Sequence, residues 1–154
     1  MKKIIVTKTA EETMELGRKL GELLEPGNVV ALTGDLGAGK TTLTKGVAVG
    51  MGIKDDIHSP TFTLIHEHHG NKILYHIDLY RLESELDVES LGIEEYIHSN
   101  AITFIEWAER MQSLLPKQRL DINISLEKDD SRVFTFSLPS ENSFAKLNDL
   151  LGLS

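Results

Sequence analysis

The sequence predicts an α/β fold, in which a mixed, mostly parallel central sheet carries helices and antiparallel hairpins. Two observations predict it. Short apolar runs typical of buried strands alternate with segments of helical periodicity, an order that favours parallel strands joined by crossover helices. Two further pairs of strand-like runs are each separated by turn residues, and such pairs form antiparallel hairpins. With 154 residues, a single domain spanning residues 1–154 is expected.

The first third of the chain contains two strand-like runs, each followed by a helix. Thr9 and Glu12 have the spacing of a capping box, which satisfies free N–H groups at a helix start. Leucines then recur at helical spacing, and Pro26 and Gly27 end that helix. The elements predicted here are a strand at residues 4–6, a helix after Thr9, a buried strand at 29–32 and a helix from 41 to about 51.

The rest of the chain reads as two hairpins with helical and apolar segments between and after them. Turn residues separate the two runs of each hairpin, at residues 69–71 and 129–131. Gly92 interrupts a segment of helical pattern. The elements predicted here are strands at 61–68 and 73–80, a helix at 83–97 broken at Gly92, a central strand at 101–105, strands at 120–126 and 132–138, and a closing helix at 140–151.

Composition excludes several classes of protein. The chain has no cysteine, so disulfides and Cys-ligated zinc or iron–sulfur sites are impossible. It has 24 acidic and 16 basic residues, a net charge of −8, which argues against a protein that grips nucleic acid alone. No apolar run approaches the roughly 20 residues of a membrane span. Residues 1–8 turn polar too soon for a signal peptide, so a cytoplasmic location without a membrane partner is expected.

Residues 34–41, with the sequence GDLGAGKT, match the phosphate-loop pattern G-x-x-x-x-G-K-[ST] at every fixed position. The loop follows a predicted strand and opens a predicted helix, so its N–H groups and the helix N-terminus can bind phosphate. Lys40, which we expect to be exposed, can reach the β- and γ-phosphates, Thr41 can ligate Mg²⁺, and Thr42 is placed for the α-phosphate. The predicted nucleotide-binding residues are Gly37, Ala38, Gly39, Lys40, Thr41 and Thr42.

Two acidic residues are candidates for the other half of this site. Glu106 ends an apolar strand, the Walker B pattern, and the alternative is an ordinary solvated acid. Asp78 lies in the segment HIDLYR at residues 76–81, where strand alternation puts His76, Asp78 and Tyr80 on one face. The alternative for Asp78 is a structural acid that pairs with Arg81 or caps a helix.

Three other features allow a functional and a structural interpretation. The hydroxyl groups of residues 59–63 could sense a γ-phosphate, or the segment is simply a turn. The histidines at positions 66, 68 and 69 could bind a metal ion, but an exposed sheet edge is the preferred interpretation. Trp107 is interpreted as a packing residue rather than as a platform for a base.

Four segments, at residues 34–42, 59–64, 76–82 and 105–107, together resemble the TsaE (YjeE) family. This family comprises the P-loop ATPases of bacterial tRNA threonylcarbamoyladenosine synthesis, and the resemblance covers residues 9–110. It implies a P-loop NTPase-like three-layer fold, Mg²⁺-dependent but slow ATP hydrolysis, and work with the TsaB and TsaD proteins, which modify adenosine next to the anticodon. Contact with tRNA would be indirect, through that complex.

The resemblance also assigns roles to residues. Lys40, Thr41 and Thr42 take the phosphate and metal roles, Glu106 takes the Walker B role, and Asp78 is the essential acid. The catalytic set is thus Lys40, Asp78 and Glu106, and the metal ligands are Thr41 and Glu106.

Three other functions stay open on the residues alone. They are a small-molecule kinase, although the five arginines are scattered, a regulatory GTPase, and a module that binds ATP without hydrolysing it. The residues that contact adenine are not identified, but the helix start at Thr9 and the C-terminal hairpin are candidates.

Overall fold

The computed structural model describes residues 1–35, 37–57, 64–139 and 144–151. Within these ranges the chain forms one seven-stranded sheet with helices on both faces. The strands are β1 (Lys2–Thr7), β2 (Val29–Gly34), β3 (Ile65–His69), β4 (Ile73–Asp78), β5 (Ile102–Glu106), β6 (Leu120–Leu126) and β7 (Arg132–Ser137). The α-helices are α1 (Ala10–Leu23), α2 (Lys40–Gly50), α3 (Glu85–Glu89), α4 (Ile93–Ile97) and α5 (Asn148–Leu151), with 3-10 segments at Ala108–Leu114 and Ala145–Leu147.

The strand order is β1-β7-β6-β2-β5-β4-β3, and the sheet is mixed, as predicted. The four central strands β6, β2, β5 and β4 are parallel to one another. The pairings β7–β6 and β4–β3 are antiparallel, because a short turn reverses the chain within each hairpin, and β1 adds to β7 in an antiparallel pairing from the other end of the chain. The parallel strands therefore share one carboxyl-end edge in the middle of the sheet, where α/β proteins bind their ligands.

Two apolar cores, one on each face, make the fold three-layered. Helices α1 and α2 cover one face, and their core includes Leu20, Leu43 and Phe104. Helices α3 and α4 and the segment Ala108–Leu114 cover the other, with Ile105 and Met111 in the core. The leucines that recur at helical spacing in α1 are turned inward, as their periodicity predicts.

Several element boundaries differ from the sequence predictions. The break at Gly92 is confirmed, because α3 and α4 are separate short helices and Gly92 has a left-handed backbone with φ of 70°. A continuous closing helix at 140–151 is wrong for the residues described, since Ala145–Leu147 is a 3-10 turn without a side-chain cap and α5 begins only at Asn148. Residues 61–63 of the predicted strand at 61–68, and residues 140–143, lie outside the described ranges.

None of the helices in the described ranges combines the length and the apolar character that crossing a membrane requires.

Candidate functional site

The predicted phosphate loop joins the end of β2 to the start of α2, at the carboxyl edge of the parallel strands. Gly39 is the N-cap of α2, with φ of 111°, and it provides no side-chain hydrogen bond to the helix start. The backbone N–H groups of the first turn therefore point towards the loop without a side-chain cap. Thr41 and Thr42 lie half-buried in that turn. An anion could be held here by backbone donors and the helix dipole.

Lys40 is folded against the loop that precedes it. Its Nζ donates hydrogen bonds to the carbonyl oxygens of Gly34 at 2.6 Å and Asp35 at 3.4 Å. The same ammonium lies 3.9 Å from the centre of the Trp107 ring, a cation–π contact. The residue is only 6% exposed, so the expectation of an exposed lysine is wrong. The loop carbonyls and the indole cover it, which sequence spacing does not reveal.

The charges around Lys40 are predominantly negative. Burial lowers the pKa of Lys40, and the attraction of neighbouring carboxylates opposes that shift. Those carboxylates belong to Glu106, Glu109, Asp78 and Asp35. A polyanion would therefore meet one ammonium and several acids at this edge. This balance suits a ligand that arrives with a divalent cation.

The two acids that the sequence singled out do meet at this edge. Asp78 ends β4 and Glu106 ends β5, and the two are directly opposite in the parallel register. Glu106 is also opposite Leu32 of β2, two residues before the loop begins at Gly34. The acids are 8% and 2% exposed, so Glu106 is not an ordinary solvated acid. The arrangement collects two carboxylates beside the phosphate loop.

Asp78 is held by the backbone rather than by an arginine. Its Oδ1 accepts a hydrogen bond from the N–H of Tyr80 at 3.0 Å. Among the described ion pairs there is none between Asp78 and Arg81, so the predicted alternative of a structural pair is not supported. Burial raises the pKa of Asp78, and the negative charge of Glu106 adds to this effect. Asp78 is thus a carboxyl group whose ionised form is stabilised less than it is in water.

Glu106 has a buried partner that sequence reasoning missed. The Nε2 of His76 donates to Oε2 of Glu106 at 2.5 Å, and the two side chains are 0% and 3% exposed. The predicted shared face of His76 and Asp78 is the signal that was present, because Asp78 is paired with Glu106 and all three side chains therefore lie on one face of the sheet. The Nδ1 of His76 is buried, with no hydrogen-bond partner in the described part of the chain. His76 therefore fixes one oxygen of the carboxylate.

Trp107 follows Glu106 in a left-handed conformation, with φ of 60°. This turn directs the indole over Lys40 and against Tyr80, whose ring centre is 5.0 Å away. The packing interpretation of Trp107 is therefore incomplete, because the residue packs on the candidate lysine rather than within an apolar core alone. Arg110 also approaches the indole, with Cζ 6.0 Å from the ring centre.

The C-terminal hairpin reaches the loop from the other side. A Cβ atom placed on Gly39 would lie 3.6 Å from Nε of Arg132, so this side chain crosses the loop. Arg132 is opposite Thr7 in the β1–β7 register, which brings the start of α1 at Thr9 to the same edge. Both elements suggested for adenine contact therefore border the site, although the contact itself stays a prediction.

The histidine cluster lies on the outermost strand β3, where His66 is opposite His76 in the antiparallel register and His68 and His69 lie farther from the carboxyl edge. His68 is 8% exposed rather than exposed as expected, and its Nδ1 lies 3.0 Å from Oδ2 of Asp55. Its ring centre is 6.0 Å from that of His66. No group of three or more potential metal ligands occurs within the described ranges. The residues suggested to sense a γ-phosphate, 59–63, fall outside those ranges.

Comparison with known proteins places these features in one family. The family model described as "Threonylcarbamoyl adenosine biosynthesis protein TsaE" matches residues 7–134. The chain is similar to the tRNA threonylcarbamoyladenosine biosynthesis protein TsaE of Bacillus subtilis, with 45% identity over 85% of this chain and 82% of the relative. It is also similar to that of Treponema pallidum, with 43% identity over 84% and 96%. A crystal structure of Bacillus subtilis YdiB superposes with a TM-score of 0.84 and 37% identity, covering 99% of this chain and 95% of the other.

Proposed function

Since the chain belongs to the TsaE family of tRNA threonylcarbamoyladenosine biosynthesis proteins, we propose that it is the Mg²⁺-dependent ATPase subunit of that modification. In this proposal it binds ATP at the loop of residues 34–41, hydrolyses it slowly, and acts in the cytoplasm with the TsaB and TsaD proteins. The tRNA is reached only through that complex. One observation carries the proposal: the phosphate loop, Asp78 and Glu106 meet at one carboxyl edge of the sheet.

The loop supports phosphate binding because its donors are in place. The uncapped first turn of α2 supplies backbone N–H groups, and Gly39 keeps side-chain atoms away from them. Lys40 now donates to two loop carbonyls, and it can exchange them for the β- and γ-phosphates of a nucleotide. Charge-assisted hydrogen bonds to phosphate are stronger than those to neutral carbonyls, so the exchange is favourable.

The donor set also fits Mg²⁺, which prefers oxygen ligands and keeps several of its waters. The hydroxyl of Thr41 and the carboxylate of Glu106 would hold it, with Asp78 next to Glu106 on the neighbouring strand. When bound, Mg²⁺ would offset the negative charge that phosphates and carboxylates share at this edge. His76 orients Glu106, and the Tyr80 N–H orients Asp78, so both carboxylates are preorganised.

The side chains next to the loop support the proposal that hydrolysis by the isolated chain is slow. Glu106 is tied to His76, and Trp107 follows it where a second acid would otherwise stand. An arginine finger, often supplied in trans, contributes roughly 10³–10⁵ in rate. We therefore propose that partner proteins complete the site and accelerate turnover.

Calorimetric titration with ATP and GTP, with and without Mg²⁺, tests the binding step. Lys40→Met is the variant of choice, because it keeps a long side chain at a buried position while it removes the ammonium and its hydrogen bonds to the loop carbonyls. We expect at least a tenfold loss of ATP affinity, with a cooperative unfolding transition retained and a melting temperature lowered only by the loss of the two hydrogen bonds to loop carbonyls. An affinity equal to that of the wild type would contradict the phosphate-loop assignment.

Steady-state ATPase rates, measured alone and with purified TsaB and TsaD at fixed salt, test the function. We expect slow release of phosphate alone, acceleration by the partners, and a much lower rate for Glu106→Gln with ATP binding retained. Phosphate transfer to a small molecule would favour a kinase instead, and preferred turnover of GTP would favour a GTPase. Rapid turnover by the isolated chain that the partners leave unchanged would refute the proposal.

A further inference from the structure

The excess of acidic over basic residues in this protein equals the charge of one segment. Residues 82–109 contain eight acids and neither lysine nor arginine, and the other 16 acids of the chain equal its 16 basic residues. The net charge of −8 is therefore the charge of this segment alone. Two of the eight acids, Glu106 and Glu109, belong to the candidate site. The other six are exposed on and around α3 and α4: Glu83, Glu85, Asp87, Glu89, Glu94 and Glu95.

An apolar cavity opens in the middle of this acidic surface. It has a volume of about 420 Å³ and lies between α3, α4 and the 3-10 segment Ala108–Leu114. Its apolar lining includes Val88, Ile93 and Met111, and Glu89 and Glu94 are among its acidic lining residues. On the same short helix α3, Leu86 is 76% exposed, the largest exposure among the large hydrophobic residues of the described chain. Apolar surface ringed by polar groups marks an interaction site.

We propose that this surface, formed by residues 83–95 with Met111 and Leu114, docks a protein that presents basic side chains around an apolar one. We call it the α3–α4 surface. Six exposed carboxylates, in a segment without lysine or arginine, repel nucleic acid and anionic lipid, and they attract a basic protein surface from a distance. The cavity then gives a short-range fit for an apolar side chain, which a purely electrostatic contact lacks.

The inference rests on the proposed function, which supplies the partner. A complex that holds tRNA must present lysine and arginine to the phosphates of its substrate. A subunit with a concentrated negative surface can dock on lysine and arginine side chains of such a complex, because they attract carboxylates as they attract phosphates. The occupant is thus a basic protein surface, and the tRNA itself does not bind here.

The α3–α4 surface is joined to the candidate site at both ends. The acidic segment begins four residues after Asp78 and ends with Glu106, Trp107 and Glu109. Met111 and Leu114 line the cavity and belong to the same 3-10 segment as Glu109. The backbone N–H and the hydroxyl of Ser113 donate to Glu85, which ties this segment to α3. A partner seated in the cavity therefore contacts the element that follows Trp107, whose indole covers Lys40.

Binding of purified TsaB and TsaD to the immobilised full chain, measured at low and high salt, tests the inference. The test variant is Glu89→Lys/Glu94→Lys, which reverses two charges at the cavity. The control is Glu22→Lys/Glu11→Lys on α1, which lies on the other face of the sheet and changes the net charge equally. Glu22 matches Glu89 near a helix end, and Glu11 matches Glu94 in a first turn.

The cavity variant is expected to bind at least about tenfold more weakly at low salt, and the control to stay within about twofold of the wild type. Binding by the wild type should weaken as salt rises, because screening reduces the long-range attraction. A second pair of variants tests the apolar contribution to docking and changes neither the charge nor a buried residue. Leu86→Ser should weaken binding about threefold or more, and Val49→Ser, 57% exposed on α2, should not.

Each outcome is decisive. Equal binding by the wild type and the cavity variant overturns the α3–α4 surface while leaving the proposed function intact. An equal loss in cavity and control variants also overturns it, since net charge alone would then govern binding. If the wild type binds neither partner, the proposed function fails as well. If the cavity variant has a lowered melting temperature, the exposed Leu86→Ser variant decides, and unchanged binding by it overturns the inference.

Discussion

Replacing His76 by leucine should destabilise the protein by about 3 kcal/mol, because it leaves the Glu106 carboxylate buried without its partner. The two side chains are 0% and 3% exposed. The stabilisation of about 0.2–1 kcal/mol that is typical of a solvent-exposed ion pair therefore does not apply here. Leucine fills most of the space of the imidazole, so the lost hydrogen bond dominates over a cavity. For a chain of this size, the loss corresponds to a fall in melting temperature of roughly 6–12 °C.

The assay is unfolding by urea and by heat, with EDTA present and without nucleotide, so that binding does not contribute. A double-mutant cycle with Glu106→Leu isolates the pair, and the double variant should be more stable than His76→Leu, because two apolar partners leave no buried polar group unpaired. His69→Leu, at a histidine whose side chain is 61% exposed, is the control and should change little. If His76→Leu unfolds within about 1 kcal/mol of the wild type, Glu106 does not depend on His76 and the reasoning is refuted.

The His76→Leu variant also distinguishes the orientation of Glu106 from the binding of ATP. His76 contacts Glu106 and has no hydrogen bond to the loop among the described contacts, so ATP affinity should change little. Hydrolysis should fall roughly 10–100-fold, the usual effect of losing a group that orients a metal ligand. An equal loss in affinity and in rate would indicate general damage to the site instead.

Three further changes test other parts of the structure. Gly34→Ala should destabilise by roughly 2–5 kcal/mol in urea unfolding, because its Cβ would lie 2.2 Å from the Ile124 carbonyl oxygen at a φ of 140°, whereas Gly27→Ala, with open space at a φ of 92°, should cost only about 1 kcal/mol. A similar loss in both would contradict the close approach of β2 and β6. Asp78→Asn should raise the free energy of unfolding at pH 7 in EDTA, because burial raises the folded-state pKa of Asp78 and its ionisation therefore favours unfolding. This advantage should shrink as the pH falls through the raised pKa towards 4, and a constant advantage would argue against that cause. Lys72→Met should cost about 1–3 kcal/mol and speed amide exchange at the end of α1, because Lys72 Nζ donates to three carbonyl oxygens there. Unchanged exchange would show that the lysine does not cap the helix.

Local patterns in the sequence were sufficient for most of the strands, for the first two helices and for part of the site. Periodicity and turn residues predict the strands and the first two helices, because these signals depend on neighbours in the chain. The loop of residues 34–41 is recognisable because phosphate binding requires consecutive backbone donors and a lysine at a fixed spacing. Asp78 and Glu106 stand out because each ends, or nearly ends, a predicted apolar strand. The extent of the closing helix was not predictable from periodicity, since end caps and tertiary packing set it.

Tertiary structure alone decided which of these residues meet, because strand order is not written in local spacing. The order β6-β2-β5-β4 puts Glu106 between the loop strand and Asp78. The pair of His76 and Glu106 depends on that neighbourhood, since the two residues are 30 positions apart. The burial of Lys40 likewise needs the left-handed turn at Trp107, which directs an indole from a different strand end over the ammonium. Sequence therefore determined the chemical groups of the site, and long-range strand pairing determined their partners and their burial.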